Sequence, residues 1–334
     1  MPASLSIVIP THQRFDLLAA CLASVKHFAP ARTEILVIDD ASPGGKASRL
    51  ARSIPGVRTI RFCRRRGFCA AANAGVAAAQ ADFLQLLNDD TEVTAGWADA
   101  PLAAFEDPSI GAIAPLVLYW RADKSDHFRI DSAGDFYHRA GIAGKRGHGK
   151  KLTAQYSSSV PVFGASGSSA FCRREAFLRV GGFPESFGAY FEDVDLSFRL
   201  RRAGYRVLFE PLSRVYHHVG ASHGRSDRRL LEQQSRNEER VYWRNLAAGA
   251  LAWSLPMHAA VLFGKACRRW QEGTLAPFLC GRLRLLGEIS DVMRHRRALA
   301  AAFGHAIPVR NAMPPASQRH EHSGRSSAFS SRPR

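Results

Sequence analysis

The sequence predicts an α/β fold built on a mostly parallel, Rossmann-like sheet. Short apolar runs alternate with helical patterns along the first ninety residues, in the order βαβαβαβ. Such an alternation requires right-handed crossovers and a sheet that helices cover on both faces. A chain of 334 residues, 46% of them hydrophobic, is long enough to bury a core of that size.

The elements of the first half follow from two kinds of pattern. Short β-branched or apolar runs predict four strands: "LSIVIP" (5–10), "EILVIDD" (34–40), "VRTIRF" (57–62) and "FLQLLND" (83–89). Helical spacing of Phe15, Leu18, Leu22 and Val25 predicts a helix over 13–28, and an Ala-rich segment predicts another over 69–81. A turn, "ASPGG", follows the second strand.

The second half continues with weaker signals. The predicted elements are a strand over 110–120, a strand and short helix within 164–183, a helix from about Val194 to Gly204, and the strand "YRVLFEP". The helix within 164–183 is expected to stop at Gly181 and Gly182. The stretch from Arg121 to Ser159 matches no pattern, and we expect it to shape the acceptor side of the site.

Polar side chains follow three of the predicted strands at their carboxyl ends. They are Thr11 after the first strand, Asp39 and Asp40 after the second, and Asn88, Asp89 and Asp90 after the fourth. In open sheets of this kind, ligands bind beyond these ends. The segment after the first strand, "PTHQRF", has no glycine, so neither a dinucleotide fingerprint nor a P-loop is present there. Recognition of a nucleotide would therefore rely on side chains and a metal ion.

Taken singly, each carboxylate and histidine has a structural interpretation. Glu192 and Asp193 precede a predicted helix, where an acidic residue can cap the helix or, at a pocket rim, act as a general base. Asp and Asn at residues 88–90 are common in turns, and His217 and His218 at a strand end can simply pack or hydrogen-bond. Their combination and order along the chain decide between these interpretations.

Seven segments in one order resemble the family 2 glycosyltransferases, in particular the rhamnosyltransferase-like branch. They are "SIVIPTHQR", "EILVIDDAS", "GFCAAANAG", "FLQLLNDDTEV", "GASGSSAFCRREAFLRVGGFPESF", "YFEDVDLSFRLRRAGYRV" and "VYHHVGAS". The resemblance covers roughly residues 4–245. It implies a GT-A fold and an inverting enzyme that uses a nucleotide-sugar donor. Each segment is weak evidence alone, but seven in register are strong.

The resemblance assigns roles residue by residue. It implies donor binding by Thr11, Asp39, Asn73, Asn88 and Asp89, with Asp39 on the base. Asp90 matches the last residue of the family's DXD-type motif, which binds a divalent cation, and Asn88 stands at the first position of that motif. His217 matches a histidine that completes the metal site in part of the family, with His218 as the alternative. Asp193 matches the catalytic base, and Gly167 and Glu192 are expected on the acceptor side.

The function implied is transfer of a hexosyl or deoxyhexosyl group from a UDP-, dTDP- or GDP-linked sugar to a hydroxyl of a lipid-linked or polysaccharide acceptor. Mg²⁺ or Mn²⁺ is the expected cofactor, because a hard cation stabilises charge on a diphosphate leaving group. Such transfer serves cell-wall or polysaccharide biosynthesis. One alternative is a sugar nucleotidyltransferase on a related fold, although "PTHQRF" lacks the glycine- and arginine-rich loop usual there. A second is a non-catalytic basic protein that binds membrane or nucleic acid through its tail.

Charge is concentrated at the C-terminal end. Of the formal net charge of +17, nine charges lie in residues 264–334, which hold thirteen Lys and Arg residues against four Asp and Glu residues. A basic surface favours a polyanionic partner but does not by itself choose among nucleic acid, anionic lipid and phosphorylated substrates. Arg64, Arg65 and Arg66 form a second basic run, either a solvated loop or a contact to donor phosphate.

The C-terminal segment also carries apolar patterns typical of a membrane surface. Residues 247–264 lack formal charge but are interrupted by Ser254, Pro256 and His258. An interfacial position is therefore favoured over a span. Aromatic and basic residues support it: Trp253, Lys265, Arg268, Arg269 and Trp270. Leu279, Leu283, Leu286, Ile289 and Met293 recur at helical spacing, predicting an amphipathic helix, with packing on the catalytic domain as the alternative.

Three regions are therefore predicted: a catalytic domain over 1–245, a basic amphipathic helical region over 246–307, and a disordered basic tail over 308–334. Six cysteines are scattered without a CxxC pair or zinc spacing, which favours a reducing compartment. No secretion signal is expected at the N-terminus. The predicted location is cytoplasmic and peripheral, at the inner face of the cell membrane, with no nucleic acid expected as partner.

Overall fold

The computed structural model describes residues 4–120, 128–218 and 227–304. Their fold is α/β, as the sequence predicts. The strands are β1 (Leu5–Thr11), β2 (Thr33–Asp39), β3 (Val57–Arg61), β4 (Phe83–Leu86), β5 (Thr91–Val93), β6 (Ile110–Tyr119), β7 (Ile130–Ser132), β8 (Asp135–His138), β9 (Ile142–Lys145), β10 (Val160–Val162), β11 (Phe171–Arg173) and β12 (Arg206–His217). The helices are α1 (Phe15–Phe28), α2 (Lys46–Arg52), α3 (Phe68–Ala78), α4 (Asp99–Ala104), α5 (Arg174–Arg179), α6 (Glu192–Arg202), α7 (Arg228–Asn245), α8 (Ala248–Gln271), α9 (Leu275–Arg284) and α10 (Ile289–Phe303).

One large mixed sheet organises the described residues. Its strand order is β10-β12-β6-β11-β4-β1-β2-β3, with β5 beside β12 and β7 beside β6. Strands β4, β1, β2 and β3 run parallel to one another, as the βαβ alternation requires. Strand β11 lies antiparallel between β4 and β6 and makes the sheet mixed. The carboxyl ends of β1, β2 and β4 thus share one edge of the sheet.

Both faces of the sheet are buried, which explains why β1 and β2 are apolar at nearly every position. Ile7 and Ile9 of β1 pack in one core cluster with α1, whereas Val8 packs in the other cluster with α3. Gly75 lets α3 approach closely, because a Cβ atom there would lie 2.2 Å from Val8 Cγ1. A larger side chain at this position would push α3 away from the sheet.

The differences from the predicted elements fall at boundaries and in the unassigned stretch. The predicted turn after β2 is present as a 3₁₀ turn over Pro43–Gly45, and helix α2, which the sequence does not indicate, follows it. Strand β4 ends at Leu86 rather than at residue 89, so Asn88 to Asp90 form the turn that leads into β5. Helix α6 begins at Glu192, with Phe191 at the N-cap position, so Asp193 lies within the first turn and is not the capping residue.

The part of residues 121–159 that the structure describes contains β7, β8 and β9. Strand β7 pairs with β6, and β8 pairs with β9 in a two-stranded sheet. These strands are only three or four residues long, and β8 alone alternates between buried and half-buried residues. Short strands of this kind give little periodic signal in a sequence.

Helices α7 to α10 follow the sheet in the chain. Asp227 caps α7 by accepting from the backbone N–H groups of Arg229 and Leu230. The five apolar residues that recur at helical spacing in α9 and α10 and the turn between them are all exposed: Leu279, Leu283, Leu286, Ile289 and Met293. The stripe itself faces solvent, whereas α9 and α10 pack on α7 through other residues, as the alternative of packing on the catalytic domain requires. Within the described residues, no helix combines the length and apolar character needed to cross a bilayer.

The predicted tail, 308–334, lies outside the described residues, and the predicted boundary at 245 coincides with the end of α7.

Candidate active site

The turn after β4 presents two buried carboxylates to a single arginine. The hydroxyl of Thr11 donates a hydrogen bond of 2.7 Å to Asp89 Oδ2. Arg14, from the loop between β1 and α1, donates one guanidinium nitrogen to Asp89 and the other to Asp90. Neighbouring like charges repel, and Arg14 compensates both of them. The end of β1 and the end of β4 are thereby joined through side chains.

The two aspartates differ in their electrostatics. Burial raises the pKa of Asp89 to about 6, although Arg14 and Thr11 act to lower it. Burial acts in the same direction on Asp90, but His217 and Arg14 outweigh it and leave the pKa of Asp90 below its usual value. Asp90 is therefore the more strongly ionised of the pair near neutral pH.

His217, at the end of β12, lies between two carboxylates. Its Nε2 atom is 3.2 Å from Asp90 Oδ1, and its Nδ1 atom is 2.9 Å from Asp131 Oδ2. Burial disfavours the charged ring, but the two carboxylates raise its pKa above the usual value. His218, the alternative at this position, turns away and contacts Glu92 Oε1 at 2.7 Å, with its ring stacked on Trp120.

Asp131 joins this group from β7 and is completely buried. Lys145 Nζ, at the end of β9, lies 2.9 Å from Asp131 Oδ2, and His148 Nδ1 lies 3.3 Å from Oδ1. Burial opposes ionisation of Asp131, but these donors and His217 hold its pKa well below the usual range. The unassigned stretch of sequence thus contributes three charged or ionisable groups to the candidate site.

The residues at this edge of the sheet include possible ligands of a divalent cation. In the described ranges, no three His, Cys, Asp or Glu side chains come close enough together to hold a metal ion by themselves. Asp90 and His217, however, present an oxygen and a nitrogen to each other at 3.2 Å. The far nitrogen of His217 is hydrogen-bonded to a carboxylate, the usual support of a metal-binding histidine. The pair fits a hard cation whose remaining ligands come from a diphosphate or from water.

Asp193 is linked to the same edge by backbone hydrogen bonds. The N–H of Gly167 donates to Asp193 Oδ2 at 2.9 Å, and the N–H of Val194 donates to Oδ1 at 2.8 Å. The next residue, Ser168, accepts at its carbonyl oxygen from the N–H of Asn88 at 2.8 Å. The segment 166–169 therefore bridges the turn that carries Asp89 and Asp90 and the helix that carries Asp193. Half-buried and in the first turn of α6, Asp193 keeps an orientation suited to a general base.

The backbone just before Asp193 is strained and is held in place by α7. Tyr190 and Phe191 have φ values of 70° and 67°, in the left-handed region that bulky residues rarely adopt. Asn237, fully buried on α7, donates to the carbonyl oxygens of Phe187, Ala189 and Tyr190 at 2.9–3.0 Å. Strain of this kind persists only where surrounding contacts enforce it. Helix α7 thus fixes the direction in which α6 starts.

Glu192 is buried beside Asp193. Burial and the charge of Asp193 raise the pKa of Glu192 well above its usual value, and its Oε2 atom has no hydrogen-bond partner among the described residues. Burial and Asp193 also raise the pKa of Asp135, to about 8. A Cβ atom at Gly167 would meet Glu192 Oε1 at an ordinary 3.5 Å, so the structure uses the backbone N–H of Gly167 and imposes no steric need for glycine.

Two residues expected at the donor are occupied by structural contacts. Asp39 is completely buried and accepts hydrogen bonds from the backbone and side chains of Ser42 and Ser48. The amide of Asn73 pairs with both backbone groups of Phe183, at 2.8 and 2.9 Å. These contacts stabilise the start of α2 and the loop after α5. Base binding by Asp39 and donor binding by Asn73 stay predictions that this geometry does not favour.

The basic run after β3 behaves as a solvent-exposed loop. Arg64, Arg65 and Arg66 are all exposed. The guanidinium of Arg66 lies 4.8 Å from the ring centre of Phe62 and pairs with Glu185 at 3.0 Å. The backbone N–H of Arg66 donates to Asp40 at 2.6 Å. These contacts order the loop before α3.

Four charged residues of the site were not identified from the sequence: Arg14, Asp131, Lys145 and His148. Arg14 ends the segment "SIVIPTHQR", and its position three residues after Thr11 is the sequence signal that points to it. Asp131, Lys145 and His148 lie in short strands and loops where no motif or periodicity marks them. Their roles follow only from the strand pairing that brings β7 beside β6 and so near the end of β12.

Buried carboxylates and a histidine beyond the carboxyl ends of the strands are typical of α/β proteins that bind a ligand at this edge of the sheet. The family model of glycosyl transferase family 2 matches residues 6–181, more than half of the chain. The chain therefore belongs to glycosyl transferase family 2, as its resemblance implied.

Several known proteins are similar to this chain. The pre-mycofactocin glycosyltransferase of Mycobacterium tuberculosis is 27% identical over 213 residues, 64% of this chain and 42% of the relative. The N-acetylglucosaminyl-diphospho-decaprenol L-rhamnosyltransferase of the same species is 27% identical over 302 residues, 79% of this chain and 94% of the relative. The chain spans only 25% of one further curated relative.

Solved structures agree on the fold. The structure of GalNAc-T7 with UDP, GalNAc and Mn²⁺ superposes with a TM-score of 0.56 at 22% identity, covering 72% of this chain and 47% of that one. This similarity confirms the predicted GT-A-like α/β architecture.

Proposed function

We propose that this protein is an inverting, metal-dependent glycosyltransferase. It moves a hexosyl or deoxyhexosyl group from a nucleotide-diphosphate sugar to a hydroxyl of a lipid-linked or polysaccharide acceptor. The observation that supports this most directly is the pair of backbone hydrogen bonds through residues 166–169, which joins the Asp89–Asp90 turn to Asp193. A leaving-group site and a candidate base at one edge are what a single displacement needs. The match to a rhamnosyltransferase over 94% of its length supports a deoxyhexosyl donor.

In this proposal Asp193 takes the proton from the acceptor hydroxyl while that oxygen attacks the anomeric carbon from the face opposite the leaving group. One displacement inverts the configuration, so no second essential carboxylate is needed at the reacting carbon. Asp90 and His217 would hold Mg²⁺ or Mn²⁺, which stabilises negative charge on the departing diphosphate. The backbone N–H groups of Gly167 and Val194 hold the Asp193 carboxylate in a fixed orientation for taking the proton of the acceptor hydroxyl.

Donor recognition is assigned to the ends of β1 and β4. Thr11 and Asp89 are hydrogen-bonded to each other at 2.7 Å, and Arg14 lies against both carboxylates of the turn. A diphosphate carries negative charge, so Arg14 is suited to turn from the carboxylates to the phosphates when a cation arrives. Asn88, half-buried at the same turn, contributes a neutral amide to the donor side.

A donor panel tests the proposal. Purified protein is mixed with UDP-, dTDP- and GDP-linked sugars, each with and without Mn²⁺ or Mg²⁺, and the melting temperature is measured. At 100 times Kd, a donor should stabilise the fold by about 2.7 kcal/mol, and only when metal is present. Slow release of the nucleoside diphosphate should accompany binding. Absence of binding and hydrolysis across the panel would contradict the proposal, and release of pyrophosphate from a nucleoside triphosphate would favour a nucleotidyltransferase.

We also propose that α8 to α10 rest on an anionic membrane surface at the cytoplasmic face. Large apolar side chains are exposed along these helices, with Trp253, Phe263 and Trp270 each more than 70% exposed. Lys265, Arg268 and Arg269 lie on the same helix as these aromatics. Exposed aromatic and apolar groups beside basic ones fit a bilayer with anionic headgroups. Such a position would bring a lipid-linked acceptor to the site.

Vesicle flotation tests this position. Replacing Leu283 and Leu286 together by serine should reduce binding to vesicles of phosphatidylglycerol and phosphatidylcholine at least tenfold, because each buried leucine contributes on the order of 1 kcal/mol or more. The matched control is Leu212→Ser, since Leu212 is 70% exposed on β12 and outside these helices. Wild-type protein that fails to float with anionic vesicles, or a double variant that floats like the wild type, would contradict the proposal.

A further inference from the structure

Asp131 has the geometry of a residue that acts through its neighbour. Its carboxylate lies on β7 and is completely buried. One oxygen, Oδ2, accepts from both His217 Nδ1 and Lys145 Nζ at 2.9 Å. The other oxygen, Oδ1, is 3.3 Å from His148 Nδ1. Three nitrogen groups, from residues 145–148 and from His217, therefore converge on one carboxylate.

The orientation of His217 follows from this contact. An imidazole that donates its Nδ1 proton to Asp131 has Nε2 as its free nitrogen, and Nε2 is the atom that faces Asp90 at 3.2 Å. A carboxylate behind a histidine fixes the tautomer and ring angle and makes the ligating nitrogen more basic. Without Asp131, rotation about the Cβ–Cγ bond of His217 and exchange of the ring proton would both become easier.

We propose that Asp131 is a positioning residue that sets the affinity of the site for its divalent cation by holding Nε2 of His217 toward Asp90. The inference rests on the proposed function, because that function assigns the cation to Asp90 and His217. It goes further by assigning a role to a stretch of sequence that carries no family motif. Lys145 and His148 contribute by keeping the Asp131 carboxylate in place behind the ring.

The measurement is the affinity for Mn²⁺ alone, without donor, from the electron paramagnetic resonance signal of free Mn²⁺. Asp131→Asn preserves the size of the side chain but removes its charge, and we expect a 10- to 100-fold increase in the Kd for Mn²⁺. In the transfer assay, the Mn²⁺ concentration for half-maximal activity should rise by a similar factor. The kcat at saturating Mn²⁺ should return to within a few-fold of wild type, a separation that general destabilisation of the fold would not produce.

Glu210→Gln is the matched control. Glu210 is a buried carboxylate on β12, the strand that carries His217, and it accepts from Ser159 and from the backbone of Leu212. Its replacement should leave the Kd for Mn²⁺ unchanged. Wild-type affinity for Mn²⁺ in Asp131→Asn would overturn the inference while leaving the proposed function intact. Wild-type protein that binds no Mn²⁺, either alone or with a nucleoside diphosphate present, would overturn both.

A second measurement does not depend on a variant that folds. In wild-type protein with ¹⁵N-labelled histidine and saturated with Mg²⁺, the nuclear magnetic resonance spectrum should show His217 protonated at Nδ1 and unprotonated at Nε2. The opposite tautomer would overturn the inference, because Asp131 would then face an unprotonated nitrogen and could not orient the ring by accepting a hydrogen bond from it.

Discussion

Asp193→Asn is expected to lower kcat by about 10²- to 10⁴-fold, the range that a positioned general base contributes. Asparagine has nearly the same shape, and its carbonyl oxygen can still accept from the N–H of Gly167. Helix α6 should therefore keep its place. Only the ability to take a proton from the acceptor hydroxyl is removed, so the Kd values for donor and Mn²⁺ should change by no more than a few-fold.

The matched control for this variant is Glu185→Gln. Glu185 lies in the same connection between α5 and α6, is exposed, and pairs with Arg66 on the surface. Its replacement should leave kcat at the wild-type value. Steady-state rates with saturating donor and metal separate the two variants. An Asp193→Asn protein with full activity would refute the assignment of the base.

The first half of the fold could be predicted because local signals and tertiary structure agree there. Strand β1 begins at Leu5 and α1 ends at Phe28, as the patterns indicate, since both are long enough for their period to be read. Strands β7 to β9 gave no such signal. They are short, and their positions depend on tertiary contacts: β7 pairs with β6, β8 pairs with β9, and Lys145 of β9 binds the buried Asp131.

The candidate site shows the same division. The resemblance brought Asp90 and His217 together although 127 positions separate them, and the structure places their side-chain atoms 3.2 Å apart. It did not indicate Asp131, which approaches His217 from the opposite side. A motif records which residue types recur, whereas the partner of a residue depends on how far strands extend and which side chains share a face. Asp39 is the converse case, because its motif position does not reveal that its oxygens are already bonded within the turn.

Asp195 lies two residues after Asp193. It links α6 to α7 and, through Arg244, to α10. It is completely buried and accepts hydrogen bonds from Arg199 Nε on α6 at 2.8 Å and from Asn245 Nδ2 on α7 at 2.7 Å. Arg244 Nε on α7 forms an ion pair with it at 3.0 Å. Arg244 in turn contacts His295 of α10 at 2.7 Å. Burial opposes ionisation, but the two arginines hold the pKa of Asp195 well below its usual range.

Asp195→Asn should therefore destabilise the protein by about 3 kcal/mol at neutral pH, since it leaves two buried guanidinium groups without their carboxylate. Because the folded-state pKa is lowered, the contribution of Asp195 is fully present above the unfolded value of about 3.9 and is lost as the pH falls toward the folded-state value. Urea unfolding at pH 7 and at pH 2 should therefore show a difference between variant and wild type that shrinks at the lower pH, because pH 2 lies well below the unfolded-state pKa.

Asp291→Asn, at an exposed pair with Arg294 on α10, is the control and should leave the urea midpoint unchanged at both pH values. A loss of stability in Asp195→Asn that is equal at the two pH values would refute the electrostatic argument.

Asp195→Asn also tests whether α7 affects catalysis, because α7 holds the strained backbone at Tyr190 through Asn237. If α7 orients the catalytic helix through both contacts, Asp195→Asn should lower kcat even where the protein remains folded. The helices that follow the sheet would then be part of the catalytic framework and not an appendage to it.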